Sequence, residues 1–275
     1  MKVTFMGTGG SLPISNLHRV RLGGNTTCVR VESDCLPKSM ALVVDAGSGF
    51  GPLSRELLAS KITDLHIIFT HYHHDHTQGL LLGPTTFVES VKNTLWGGSD
   101  RGIGTKEVVK TLMEPPFFPI SFSDRRVGSH FKFRDYRDPA SEVLVVHPKG
   151  GIKLFDASVL QIAEANGNML SFGNDKFDVR ECLVIRMIKS NHPEYTLCYR
   201  FEERPTGKVF VFFTDNENTD GISNDIKAHL KDADLLVMDC QYKRAVYDAR
   251  TAGYGHGTAD YCVRVALTVN AKKLG

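Results

Sequence analysis

No apolar run in this 275-residue chain approaches the ~18 residues that suggest a membrane-spanning helix. The N-terminal stretch from Met1 to Gly7 is also too short for a signal peptide. Among the six cysteines there is no Cys-x-x-Cys pair. Cys28, Cys182, Cys198 and Cys262 sit among apolar neighbours and read as buried thiols, which suggests a reducing, cytoplasmic setting. A charge excess is missing too: 33 Lys and Arg stand against 31 Asp and Glu. That removes the simplest argument for a nucleic-acid partner without excluding one. Internal repeats, low-complexity segments and linkers are absent. A chain of this length buries a core without disulfides or metals, so any metal site in it is functional rather than a staple.

Short runs of β-branched and aromatic residues recur between Gly, Pro, Asn and Asp. Lys2–Met6, Cys28–Val31, Ala41–Asp45, Leu65–Thr70, Cys182–Ile188, Thr196–Phe201, Lys208–Thr214 and Leu235–Asp239 are each expected to be strands. Helices are expected over Gly51–Ser60, Ile222–Lys231 and Thr258–Lys272, the first with Leu53, Leu57 and Leu58 on one face. Strands occur both as adjacent pairs and alternating with helices, an α/β pattern. Residues 97–180, which include the rigid turn Pro115-Pro116-Phe117-Phe118-Pro119, read as an elaboration on a single domain spanning residues 1–275.

The chemistry concentrates in His71-Tyr72-His73-His74-Asp75-His76, which directly follows the strand ending at Thr70. Imidazole and carboxylate suit borderline divalent metals such as zinc. His71 and His73, two apart, point the same way in an extended or tightly turned segment, and Asp75 and His76 then project to a neighbouring position. One loop thus offers two ligands to each of two metals. A helix is expected to begin just after it, at Thr77.

This segment resembles the H-x-H-x-D-H signature of the metallo-β-lactamase-fold hydrolases. Leu42-Val43-Val44-Asp45-Ala46-Gly47, Ser190-Asn191-His192-Pro193, Phe212-Phe213-Thr214-Asp215-Asn216-Glu217 and Gly253-Tyr254-Gly255-His256-Gly257-Thr258 resemble the family's other motifs, in the family's order. The resemblance implies an α/β fold, specifically a four-layer αββα sandwich of the metallo-β-lactamase type. It also implies a first metal on His71, His73 and His192, a second on Asp75, His76 and His256, and Asp215 bridging the two around a shared hydroxide. Asp75, Asp215 and His256 are expected to act in catalysis as well. Zinc is the expected metal, with manganese compatible with aspartate bridging. Asp45 and Asp239 read equally as ligand-orienting groups or as plain turn residues. His74 is taken as a neighbour shaping the pocket. His147, before Pro148, is the main rival to His192; the hairpin leading from His192 to Asp215 favours His192. His18, His66, His130 and His229 are expected to be structural or surface residues.

Asp215 at the bridging position disfavours true β-lactamases. The segments Gly7-Thr8-Gly9-Gly10-Ser11-Leu12-Pro13 and Asp239-Cys240-Gln241-Tyr242 resemble the phosphodiesterase branch. The expected activity is therefore hydrolysis of a small phosphodiester, a cyclic nucleotide first, to a nucleoside monophosphate. The alternatives are an RNase Z-like tRNA 3′-end endonuclease, a glyoxalase II-type thioesterase and a non-catalytic metal-binding protein. Phe117, Phe118 and Tyr254 read as packing residues rather than base-stacking ones. The resemblance implies a homodimer. It also implies a further strand after the last helix, whose absence would leave a sheet edge bare for a partner to cover.

Overall fold

A computed structural model describes residues 1–218, 220–247 and 250–275. The chain divides into two compact units, one of residues 1–32 and 38–137 and the other of residues 33–37 and 138–275. The first 41 residues of the expected elaboration, 97–137, lie in the first unit, and 138–180 lie in the second.

The first unit contains β1 (Lys2–Gly7), β2 (Cys28–Glu32), β3 (Met40–Val44), α1 (Phe50–Ala59), β4 (Asp64–Ile68), α2 (His74–Leu82), β5 (Lys92–Gly97), α3 (Thr105–Leu112), a short α4 (Arg125–Gly128) and β6 (Phe131–Asp135). Its six strands form one sheet in sequence order. The β1/β2 and β2/β3 pairs are antiparallel, and the pairs from β3 to β6 are parallel. Helix α1 buries Phe50, Leu53 and Leu57, one helical face, against Val43, Leu65, Ile67 and Leu95 of the strands. Full burial of each such side chain stabilises by roughly 1.5–3 kcal/mol.

The second unit contains β7 (Glu142–His147), β8 (Gly151–Asp156), α5 (Ala157–Ala165), β9 (Met169–Phe172), β10 (Asp175–Asp178), β11 (Leu183–Lys189), β12 (Leu197–Glu203), β13 (Lys208–Phe213), α6 (Asn224–Leu230), β14 (Leu235–Met238) and α7 (Ala259–Thr268). A six-stranded sheet runs β14-β13-β12-β11-β7-β8, with β9 and β10 as a separate hairpin. Among the described strands of this sheet, β13/β14 is the one parallel pair. Because β11 and β13 are both antiparallel to β12, β11, β13 and β14 all end at the same edge of the sheet. Helix α7 starts at a Thr258 cap, whose side chain accepts from the Tyr261 amide, and buries Tyr261, Cys262, Val265 and Ala266.

The expected strands and three helices are present with boundaries shifted by a few residues at most, except that α7 stops at Thr268 rather than Lys272. Helix α2 begins at His74, not at Thr77, so Asp75 and His76 lie in its first turn. There the positive end of the helix dipole favours the Asp75 carboxylate. Beyond α7 the edge of β14 is occupied by the chain itself. The tail turns back along β14: Leu236 N donates to Lys273 O at 2.9 Å and Gly275 N donates to Leu236 O at 2.9 Å. Asp234 fastens this tail by accepting from Lys272 Nζ at 2.9 Å and Lys208 Nζ at 3.0 Å. Among the described residues no helix is long and apolar enough to cross a membrane.

Candidate metal centre

In the first unit the candidate ligands gather at the C-terminal ends of the adjacent parallel strands β3 and β4, where ligands commonly bind in such sheets. Asp45 follows β3 in the left-handed region at φ 57°, a conformation aspartate tolerates better than most residues. Its amide donates to Ile68 O at 3.0 Å, tying the two strand ends together. The carboxylate is fully buried. It accepts from Thr70 N at 2.8 Å, Thr70 Oγ1 at 2.9 Å and His76 Nδ1 at 2.8 Å. Burial pushes the Asp45 carboxyl above its usual range, against the pull of His76 and Thr70.

This arrangement sets the tautomers. Asp45 has only lone pairs to offer, so His76 carries its proton on Nδ1, and the lone pair falls on Nε2. Thr70 spends its hydroxyl proton on Asp45, so its oxygen accepts from His71 Nδ1 at 3.2 Å, and His71 adopts the same tautomer. The His71 ring centroid lies 4.5 Å from that of His73 and 4.2 Å from that of His76. Asp75 Oδ2 lies 3.6 Å from His76 Nε2 and accepts from Ser11 N at 2.8 Å. Thus the glycine-rich loop after β1 holds a candidate ligand. His71 and His76 are buried, and His73 and His74 are exposed.

The second unit repeats the device. His192 follows β11, Asp215 follows β13 with φ 50°, and Asp239 follows β14. The parallel β13/β14 register is closed by Asp239 N donating to Phe213 O at 3.2 Å. Asp239 Oδ2 accepts from His256 Nδ1 at 2.9 Å and Gly257 N at 3.2 Å, while Oδ1 accepts from Gln241 N at 3.1 Å. Asp239 thus holds the Nδ1 face of His256, and one of its oxygens also lies within 4.8 Å of candidate ligand atoms of Asp215 and His256. Asp45 and Asp239, which the sequence leaves open as orienting or turn residues, each hydrogen-bond a histidine Nδ1. His192 Nδ1 lies 2.9 Å from Thr196 Oγ1, and Thr196 Oγ1 lies 3.3 Å from Glu194 O. The Glu194 amide approaches the same nitrogen at 3.3 Å.

Gly255 is required here. Its φ is +90°, and a Cβ on it would lie 1.9 Å from His192 Cδ2. Glu217 accepts from Tyr247 Oη at 2.6 Å, Gly253 N at 2.5 Å and Gly255 N at 2.8 Å. Burial alone would raise the Glu217 carboxyl, but these donors outweigh it and hold it below the usual range.

His147 has a different fate. Its Nδ1 accepts from Lys149 N and Gly150 N at 3.2 and 3.1 Å, its Nε2 meets Glu181 at 3.2 Å, and its ring stacks on Phe177 at 4.0 Å. Both nitrogens are committed to structure. His66 bridges Trp96 and Asp64, His130 meets Thr86 O, and buried His229 is pushed down to about 3 by burial and by Arg200 and Arg186. His18 is exposed. Phe118 packs in the core as expected, whereas Phe117 and Tyr254 project into solvent at 87% and 65% exposure. Thr70, Thr196, Ser11 and Glu217 hydrogen-bond the candidate site residues or the segment before His256, although the sequence reading assigns none of them a role.

The donor set fits divalent metal. Four histidines have Nδ1 within hydrogen-bond distance of a protein oxygen, the usual way of turning Nε2 toward a cation. Asp75 and Asp215 add hard oxygen donors suited to the same ions.

No protein-family model matches the chain. Ribonuclease Z of Picrophilus torridus is 22% identical over 286 aligned positions, covering 99% of this chain and 84% of that protein. The metallo-β-lactamase fold protein YhfI from Bacillus subtilis superposes with a TM-score of 0.58 at 19% identity, over 99% of this chain and 83% of that one. The short form of human tRNase Z gives a TM-score of 0.58 at 18% identity, over 100% and 90% of the two chains. With its two large sheets and flanking helices, the chain therefore has the mixed α/β metallo-β-lactamase fold.

Proposed function

We propose that the chain is a dinuclear-metal-dependent phosphodiesterase. His71, His73 and His192 hold one ion, Asp75, His76 and His256 hold the other, and Asp215 is shared. The observation that carries this reading is the tautomer control in each unit: Asp45 and Thr70 on His76 and His71, Asp239 and Thr196 on His256 and His192. Such a metal pair supplies Lewis acidity for phosphoryl oxygens and brings the pKa of a water toward neutrality. The chain's own groups hold the donors. Asp45 and Asp239 fix ring orientation, the Ser11 amide restrains Asp75, and Glu217 restrains the segment leading to His256. Two dications carry more charge than Asp75 and Asp215 cancel, which suits an anionic diester. Zinc is the preferred metal for this imidazole-rich set, and manganese is compatible with it.

A cyclic nucleotide, opened to a nucleoside monophosphate, is the proposed substrate; the nearly balanced charge favours a small one. A tRNA 3′-end endonuclease is an equally supported second reading, because the similarities include a Ribonuclease Z and a tRNase Z. A metal-replete panel of 3′,5′- and 2′,3′-cyclic nucleotides, bis-phosphodiesters, thioesters and precursor tRNA separates them, with Asp215→Ala as the blank. Cleavage of precursor tRNA alone replaces the first reading with the second, and turnover of thioesters alone contradicts both. A homodimer belongs to the same proposal; light scattering should give the mass of two chains, and a clean monomer contradicts it.

A further inference from the structure

Glu217 stands where the ligand-bearing loops of the second unit meet, two residues after Asp215. Its backbone clasps Asn191, the neighbour of His192: Glu217 N donates to Asn191 O at 2.8 Å, and Asn191 Nδ2 donates to Glu217 O at 2.9 Å. Its side chain reaches the segment before His256, where Oε1 accepts from Tyr247 Oη and Gly253 N and Oε2 accepts from Gly255 N. Gly253 and Gly255 both have φ +90°, a conformation with no strong preference of its own. Something outside the segment must select it, and three donors converging on one carboxylate do so. The same convergence makes Glu217 an acceptor rather than a proton donor. Gly255 in turn lies against the His192 ring.

We propose that Glu217 is a positioning residue for the metal bound by His256, acting by latching Tyr247, Gly253 and Gly255 in the arrangement that presents this histidine. The proposal rests on the dinuclear reading above. Glu217→Gln keeps the size of the side chain. Its amide oxygen can still accept at the Oε1 position, but its NH2 then faces the Gly255 N–H as donor against donor. Tyr247→Phe removes one bond at Oε1 and leaves the Gly255 bond intact.

Two readouts on the full-length protein test this. Hydrogen exchange of the metal-free protein should speed by about tenfold in peptides covering residues 250–257 for Glu217→Gln, and less for Tyr247→Phe, with β11–β13 unchanged. Zinc titration should weaken one of two equivalents by about tenfold in Glu217→Gln and leave the other as in wild type. Unchanged exchange in both variants overturns the latch. Equal weakening of both equivalents, or of neither, overturns the positioning role. Wild type taking up fewer than two zinc ions contradicts the dinuclear reading and, with it, the role toward the metal; the exchange result, read without metal, still decides the latch.

Discussion

Asp45→Asn separates metal affinity from stability. The buried carboxylate receives Thr70 N on one oxygen and Thr70 Oγ1 and His76 Nδ1 on the other. In the asparagine variant the carbonyl oxygen stays with the Thr70 amide, and the NH2 takes the Oδ2 position. There it can only donate, so His76 Nδ1 becomes the acceptor and the ring proton moves to Nε2, where a metal would bind. Losses of such orienting contacts cost about 10- to 100-fold in affinity, or about 1.4–2.7 kcal/mol. The fold should suffer less. Burial already opposes the Asp45 charge, so relief from desolvation offsets the weakened hydrogen bonds, and the metal-free protein should change by less than about 1 kcal/mol. Competitive zinc titration against a chromophoric chelator, paired with urea unfolding of the metal-free proteins, reads both quantities. Wild-type zinc affinity in a folded Asp45→Asn protein would refute the tautomer argument.

Gly255→Ala places a Cβ against His192 at positive φ, so it should destabilise the metal-free protein by about 1–3 kcal/mol and also weaken zinc binding, read by thermal unfolding and titration. His192→Ala should lose bound zinc while His147→Ala keeps it; elemental analysis that reverses this order would restore His147 as the ligand. Phe50→Ala, which removes a fully buried ring beneath the first sheet, should cost about 3–5 kcal/mol in urea unfolding. Burial alone would raise Glu202, but Arg200, Arg186 and Arg204 outweigh it and hold the carboxyl low. Its stabilising contribution is therefore full above its unfolded value of about 4.5 and is lost as pH falls through the lower folded value. Stability measured from pH 6 to pH 3 should fall less steeply in Glu202→Gln than in wild type.

The fold was legible where strands are apolar and self-announcing. The runs before Asp45, Thr70 and Asp215 read as strands, and their ends carry the site. Strand β5 escaped because Lys92-Asn93-Thr94 opens it with polar residues; its burial comes from lying between β4 and β6, which only the assembled sheet reveals. The sequence pattern starts α2 too late, since a run of histidines has no helical signature, while Ser11 and Asp45 anchor Asp75 and His76 in its first turn. His147 and His192 each follow a strand and precede proline. What distinguishes them is their surroundings, Phe177 and Glu181 around one and Thr196 and Gly255 around the other. Thr70, Thr196 and Glu217 act through hydrogen bonds, which impose no spacing on the chain. The tail's pairing with β14 has no signal in the sequence, because Lys272 to Gly275 lacks β-branched residues and Asp234 meets Lys272 only in the folded chain.

The most direct test of the central claim is metal stoichiometry measured together with phosphodiester turnover. Wild-type protein, stripped of metal and then equilibrated with zinc, is predicted to hold two ions per chain and to hydrolyse a phosphodiester only when loaded. Asp215→Ala, folded but without the shared ligand, is predicted to hold fewer than two and to be inactive. A wild-type protein that binds no zinc or manganese, or an Asp215→Ala variant that keeps both ions and full turnover, would contradict the account.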